Sequence, residues 1–327
     1  MSRTSTGSSS RRDGSSDLPD VPARPDEIEE ALGRLGVRPS RGLGQSFLTD
    51  PFVADALAAL AVPAGEEPVF EVGGGLGIVT RALLRRGLRR LTVVERDPRL
   101  VRHLARTFEG RLVVVHADAL RFPFPAEAVA VGSLPYAIAT PLLLSRMRAG
   151  QARIAVLVQN EVAERFAAAP GSREYGRPTI LARLFGDTEL FQEVPAEAFH
   201  PRPKVAGRLL VYRSRRGPLP VPSVEGLERV VRLLFSSRRK QLGNLVSRLT
   251  GSAGDSFALA AAARWPPGWE RLRPEELEPA AYFRLAALLG PTPTSGAKAD
   301  RTSRTGTETP ATDQHRDQGA VGPRTRA

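Results

Sequence analysis

The 327-residue sequence predicts an α/β protein with a mostly parallel sheet and a small all-helical domain after it, and three observations predict this. Short β-branched apolar runs alternate with amphipathic helical stretches from residue 50 to about residue 213. A glycine-rich turn follows the first of those runs and opens a helix. After a Pro-rich break, GPLPVPS at 217–223, only helical patterns occur. Continuous apolar strands separated by helices belong to a mostly parallel sheet covered on both faces.

The elements follow in order. Residues 1–36 form an N-terminal extension: 1–25 are rich in Ser, Arg and Asp and are expected to be disordered, and DEIEEALGRLG (26–36) is expected to form one short helix. Strands are predicted at 68–72, 90–95, 111–117, 128–133, 152–159, 189–194 and 207–213. Helices are predicted at 50–61, 77–87, 98–108, 140–149 and 160–169. The last two strands lie close in sequence with no good helix between them, so the sheet is expected to end in an antiparallel pair, its last strand running against the rest. Beyond the break, helices are predicted near 223–236, 238–249 and 274–289. This divides the chain into an extension (1–36), a ligand-binding α/β domain (37–216), a helical domain (217–290) and a disordered tail (291–327).

Composition removes several function classes. The chain has no cysteine, which excludes a disulfide framework, a thiol nucleophile and thiolate metal sites. Its four histidines show no metal-ligand spacing, so no metal centre is expected. No apolar run approaches the ~18 residues of a membrane span, and the N-terminus has no apolar core of a secretory signal, so a cytoplasmic protein is expected. The net charge is +12, and residues 37–290 carry all of that excess, which predicts a polyanionic partner such as nucleic acid.

The glycine turn reads Glu71-Val-Gly73-Gly-Gly75-Leu-Gly77. Gly73 and Gly75 let the backbone approach a ligand closely, and the helix start offers free N–H groups. The third glycine comes one residue earlier than in a dinucleotide fingerprint, which favours a cofactor with an amino-acid moiety over a pyrophosphate. The second strand ends in Glu95, suited to accepting ribose hydroxyls, and the third is followed by Asp118, suited to accepting an adenine amine. All three features sit at the carboxyl ends of successive strands, where open α/β sheets bind ligands, and together they predict a nucleoside-type cofactor.

The fourth strand ends in Gly132-Ser133-Leu134-Pro135-Tyr136, which, taken with the glycine turn, resembles the Asn/Asp/Ser–Pro/Leu–Pro–aromatic motif of methyltransferases that modify exocyclic amines. An exocyclic aromatic amine has its lone pair delocalised into the ring. Two acceptors for its hydrogens, the Ser133 hydroxyl and the Leu134 carbonyl, help the nitrogen become tetrahedral. Pro135 is expected to stiffen the turn and Tyr136 to stack on the base. Rate then comes mainly from alignment of the methyl donor with the nitrogen.

With these motifs in order, the chain from about Arg38 to Gly290 resembles the rRNA adenine N6-dimethyltransferase superfamily. The resemblance is carried by LGQSFL (43–48), EVGGGLG (71–77), VVERD (93–97), HADAL (116–120), GSLPYAIATPLL (132–143), QNEVAER (159–165), GSREYG (171–176), FHPRPKV (199–205) and FSSRRK (235–240). The QNEVAER, GSREYG and FSSRRKQLGNL pieces are most similar to the small-subunit (16S-type) branch. The resemblance implies a Rossmann-like class I methyltransferase sheet and S-adenosylmethionine as cofactor, contacted by Ser46, Leu48, Gly73, Glu95, Asp118 and Ser133. It also implies that Ser133 to Tyr136 hold the target adenine. Ser46 and Ser133 stand where the family has asparagine, which keeps one oxygen and loses the amide's reach, so slower turnover or arrest at one methyl is expected.

The partner this implies is rRNA in an immature small subunit, met by a monomer. Residues 213–248 carry a net +7, and Arg238, Arg239 and Lys240 are expected to open a helix, where positive charge opposes the dipole and is better explained by a phosphate. Arg202 and Lys204 lie on a Pro-stiffened loop expected near the site mouth. The target adenine must be single-stranded or flipped out. Three rival readings remain: a large-subunit methyltransferase of the macrolide-resistance type, a non-catalytic RNA-binding assembly factor on the same fold, and, disfavoured by the glycine spacing, a nicotinamide dehydrogenase.

Overall fold

The computed structural model describes residues 18–39, 45–63, 68–251 and 253–289. The predicted tail 291–327, most of the stretch 1–25, and Leu43 and Gly44 of the first motif lie outside them. Ahead of the first helix, Leu18 and Val21 pack against the core although the composition there predicts no order, and Arg81 Nε donates to the Pro19 carbonyl at 3.0 Å.

Helix α1 (Pro25–Leu35) starts on a proline and is capped by Glu27, whose carboxylate accepts from the Ala23 and Arg24 amides at 3.1 and 3.2 Å. Its apolar stripe, Ile28, Ala31 and Leu32, packs on Leu76 of the glycine turn and Leu100. Strand β1 (Phe47–Leu48) leads to α2 (Pro51–Ala61), which Asp50 caps by accepting from the Phe52 and Val53 amides.

Strand β2 (Val69–Val72), α3 (Ile78–Arg85), β3 (Leu91–Glu95), α4 (Pro98–Thr107), β4 (Val113–His116), β5 (Val129–Ser133), α5 (Ala139–Arg148) and β6 (Arg153–Gln159) then alternate as predicted. After α6 (Asn160–Ala167) comes α7 (Arg177–Phe185), which runs directly into β7 (Gly186–Val194). Strand β8 (Phe199–His200) and β9 (Gly207–Ser214) complete the α/β part. Helices α8 (Val224–Phe235), α9 (Leu242–Thr250), α10 (Ala253–Ala262) and α11 (Pro279–Leu289) follow.

The seven-stranded sheet has the order β4-β3-β2-β5-β6-β9-β7. Its first five strands are mutually parallel, and β9 runs antiparallel to both neighbours, so the predicted antiparallel end is present. Burial alternates along β6. Ile154, Val156 and Val158 face one core, and Ala155 and Leu157 face the other. The second core holds α2 and α3 against the sheet. The first core runs from α5, α6 and α7 through the C-terminal helices to Trp265, Trp269 and Tyr282 without interruption. Each fully buried Leu or Phe in these layers contributes about 1.5–3 kcal/mol relative to an exposed one.

The structure departs from the sequence reading at five places. Helix α7 fills a stretch given no element, α10 was not anticipated, and the last helix begins only at Pro279. The two-residue strands β1 and β8 pair with each other, Phe47 opposite His200 and Leu48 opposite Phe199. Arg238, Arg239 and Lys240 do not open a helix. They lie in the turn between α8 and α9, which begins at Leu242, so the expected conflict with a helix dipole does not arise.

Candidate active site

Because β2, β3, β4 and β5 are parallel neighbours, their carboxyl ends share one edge of the sheet. The chain leaves that edge at the glycine turn, at Glu95, just before Asp118, and at Ser133. A cleft of about 160 Å³ opens there. Ser46, Leu48, Gly73, Gly75, Glu95, Asp118, Ser133 and Pro135 all line it, so eight of the predicted site residues converge from five separate segments.

Gly73 sits at the base of the turn with φ +72° and its amide on the Val94 carbonyl at 2.9 Å. A Cβ there would meet no atom within 4 Å, so the open face that a side chain would fill belongs to the cleft. At Gly132, by contrast, a Cβ would stand 2.5 Å from the Val72 carbonyl oxygen, and only glycine lets β5 run this close to β2.

Three carboxylates surround the opening. Glu95 accepts the Gly75 amide at 3.2 Å through one oxygen, and the Arg96 and Asp97 amides at 2.7 and 2.9 Å through the other. Asp118 accepts the Leu120 amide at 3.0 Å. Glu71 is 1% exposed and accepts the Thr80 hydroxyl at 2.6 Å. Burial pushes its carboxyl up to about 7, against the lowering effect of the Thr80 bond, and the nearby Glu95 charge adds to the rise. The sequence marked Glu71 only as an acid of the glycine motif.

Leu134 and Tyr136 are not among the cleft-lining residues. Leu134 is buried, with its amide on the Leu157 carbonyl at 2.9 Å. The half-buried Tyr136 points its hydroxyl into the protein, where it has no partner among the described residues, and burial raises its pKa. Phe47, Arg96, Ala117 and Ile138 also line the cleft; they lie inside the motifs quoted above, where the sequence reading assigns them no role of their own, and Pro22, which completes the lining, belongs to no motif.

The predicted RNA contacts fall into two groups away from the cleft wall. Arg202 and Lys204 lie on the loop leaving β8, whose His200 pairs with Phe47 at the cleft edge. Arg202 is ion-paired with Glu197, and Lys204 is exposed. In the C-terminal part, Arg239 and Lys240 are exposed, whereas Arg238 is tied to Glu275 at 3.5 Å and to the Ser172 carbonyl at 3.1 Å. Arg213 and Arg215 of the basic block are likewise engaged, with Glu189 and with the Arg183 carbonyl. Among the described residues no three His, Asp or Glu side chains converge to hold a metal, and no helix is long and apolar enough to cross a membrane.

A parallel sheet with one reversed strand, a glycine cradle open at Gly73, and carboxylates at the next two strand ends suit S-adenosylmethionine: an open backbone face for the methionine part, Glu95 for the ribose and Asp118 for the adenine. Fold and cleft together define a class I, S-adenosylmethionine-dependent methyltransferase. A family model for ribosomal RNA adenine dimethylase matches residues 38–259, and the chain belongs to that family. It is 38% identical over 275 residues to the ribosomal RNA small subunit methyltransferase A of Acidothermus cellulolyticus, covering 80% of this chain and 92% of that protein. It is 38% identical over 274 residues to the protein of the same name from Methylobacterium radiotolerans, covering 79% and 91%. Among solved structures, the 23S rRNA methyltransferase ErmE superposes with a TM-score of 0.59 at 26% identity, covering 74% of this chain and 99% of that one.

Proposed function

We propose that this chain N6-methylates adenine in small-subunit rRNA, acting in the cytoplasm as a monomer on the immature subunit. The small-subunit assignment is supported by the curated relatives, which carry that name at 34–38% identity, against 26% for ErmE. The observation that carries the catalytic reading is the meeting of Ser133 and Pro135 with the glycine turn in one cleft.

S-adenosylmethionine supplies an electrophilic methyl on a sulfonium. The adenine N6 lone pair forms the new N–C bond as the S–C bond breaks, and that electron pair stays on sulfur, leaving S-adenosylhomocysteine. The Ser133 hydroxyl and the Leu134 carbonyl accept the amine hydrogens as the nitrogen becomes tetrahedral, and the surplus proton passes to water. Tyr136 stacks on the purine. Residues 37–216 perform this chemistry. Residues 217–290, with Arg202 and Lys204, contact the RNA backbone.

The test is methyl incorporation into small subunits lacking the modification. Transfer to small-subunit rRNA supports the reading. Transfer only to large-subunit rRNA, with macrolide resistance on expression, supports the ErmE-like alternative. Cofactor binding without any transfer supports a non-catalytic assembly factor, the outcome that serine at 46 and 133 would favour.

A further inference from the structure

The GSREYG loop, one of the motifs carrying the family resemblance, has no part in the cleft. It is one place where the C-terminal helical part is fastened. The Gly171 amide donates to the Glu275 carbonyl at 2.7 Å, and the Tyr175 hydroxyl donates to the Leu277 carbonyl at 2.7 Å from a fully buried position. The Tyr175 ring lies against Phe235, and Phe235 stacks on Tyr282. Arg238 closes the joint from the other side, with Nη2 on the Ser172 carbonyl and Nε on the Glu275 carboxylate.

This joint brings cations together. Arg173 directly follows Ser172 and is exposed; Arg239 and Lys240 directly follow Arg238 and are exposed. None of the three side chains has a hydrogen-bond or ion-pair partner among the described residues, while Arg148, Arg177 and Arg238 are neutralised by Glu225, Glu228 and Glu275. Glu174 is the acid that accompanies Arg173 on the loop. Cations left unpaired beside others that are carefully paired point to an anion from outside, and charges spaced along two stitched loops fit a run of phosphates rather than one small anion.

We propose that the 171–176 loop and the 236–240 turn form a single RNA-backbone surface. Arg173, Arg239 and Lys240 contact phosphate, and Arg238 is the strut that holds the two segments together without itself meeting RNA. This rests on the rRNA reading above and assigns to Arg173 a contact that the basic triplet alone does not suggest.

The experiment measures the affinity of the full chain for a fluorescein-labelled RNA hairpin with a single-stranded adenine loop, as a function of salt, in wild type and in Arg173→Gln, Arg239→Gln, Lys240→Gln and Arg238→Gln. Each of the first three is expected to reduce the salt slope by about 1 while leaving the melting temperature and S-adenosylhomocysteine affinity unchanged. Arg238→Gln is expected to lower the melting temperature by about 2–4 °C and to change the salt slope by less than half as much. An unchanged slope in Arg173→Gln overturns the proposal, as does an Arg238→Gln variant that melts like wild type and loses as much slope as Arg239→Gln. Methyl transfer by the wild type to small-subunit rRNA is scored separately, so loss of this surface is distinguishable from loss of the functional reading.

Discussion

The Glu95 carboxylate accepts the Gly75 amide at 3.2 Å, joining the end of β3 to the turn that follows β2. One side chain therefore both shapes the glycine cradle and lines the cleft. Replacing Glu95 with Ala removes the proposed ribose acceptor and loosens the turn. Hydrogen bonds to a charged group contribute about 1.5–3 kcal/mol, so S-adenosylhomocysteine affinity measured by calorimetry is expected to fall roughly 10- to 100-fold. Affinity within twofold of wild type would remove Glu95 from the cofactor site.

Two glycines at neighbouring strand ends respond differently to a methyl group. Gly132→Ala drives Cβ into the Val72 carbonyl across two central strands and is expected to cost at least about 2–3 kcal/mol of stability in chemical denaturation. Gly73→Ala meets no atom but must hold φ +72°, at a cost of about 1–2 kcal/mol, and it places the methyl in the cleft. Its larger effect is expected in cofactor affinity. Equal effects of both on stability alone would show that Gly73 does not face the ligand.

The Glu71 carboxyl makes stability pH-dependent. Its folded-state pKa of about 7 lies above its ordinary value of 4.5, so the folded chain binds the extra proton between those values. Stability contributed by the protonated form is complete below about pH 4.5 and is lost as pH rises through about 7, a total of roughly 3 kcal/mol. Denaturation curves for Glu71→Gln are expected to lose that decline between pH 4.5 and 7. A variant with the same slope as wild type would locate the titration elsewhere.

Tyr136 separates ring from hydroxyl. The hydroxyl is buried without a partner among the described residues, so Tyr136→Phe is expected to keep stability and stay within a few-fold in methyl transfer. Base–aromatic stacking contributes about 1–3 kcal/mol, so Tyr136→Ala is expected to lose roughly 5- to 150-fold in kcat/KM for RNA, with cofactor affinity retained. Full activity in Tyr136→Ala would exclude stacking.

Much of this architecture was legible because its signals are local. Strands such as β3 and β6 are short runs rich in β-branched residues, and α2 and α4 announce themselves with Asp-Pro at 50–51 and 97–98, an N-cap followed by a proline at the first helical position. The cleft was legible for the same reason, since its residues sit at fixed offsets from strand ends. What was missed depends on distant partners. Helix α7 begins Arg177-Pro178-Thr179-Ile180, which reads as extended. It is held helical by burial of Ile180, Leu181 and Leu184, and Thr179 donates to the Arg165 carbonyl at 2.6 Å. β1 and β8 are two residues each and exist only because Phe47 and His200, far apart in sequence, pair. The role of Arg238 needed Glu275 and Ser172, which no spacing connects to it.

The central claim is that methyl donor and target amine meet at Ser133, where β5 ends beside the glycine turn. It is tested most directly by mass spectrometry of rRNA adenosines after incubating unmodified small subunits with S-adenosylmethionine and either wild-type protein or Ser133→Ala. N6-methylated adenosine is expected with wild type, and a rate roughly 10²–10³ lower with Ser133→Ala at unchanged S-adenosylhomocysteine affinity. No N6-methylated adenosine with wild type, or an undiminished rate with Ser133→Ala, would contradict the account.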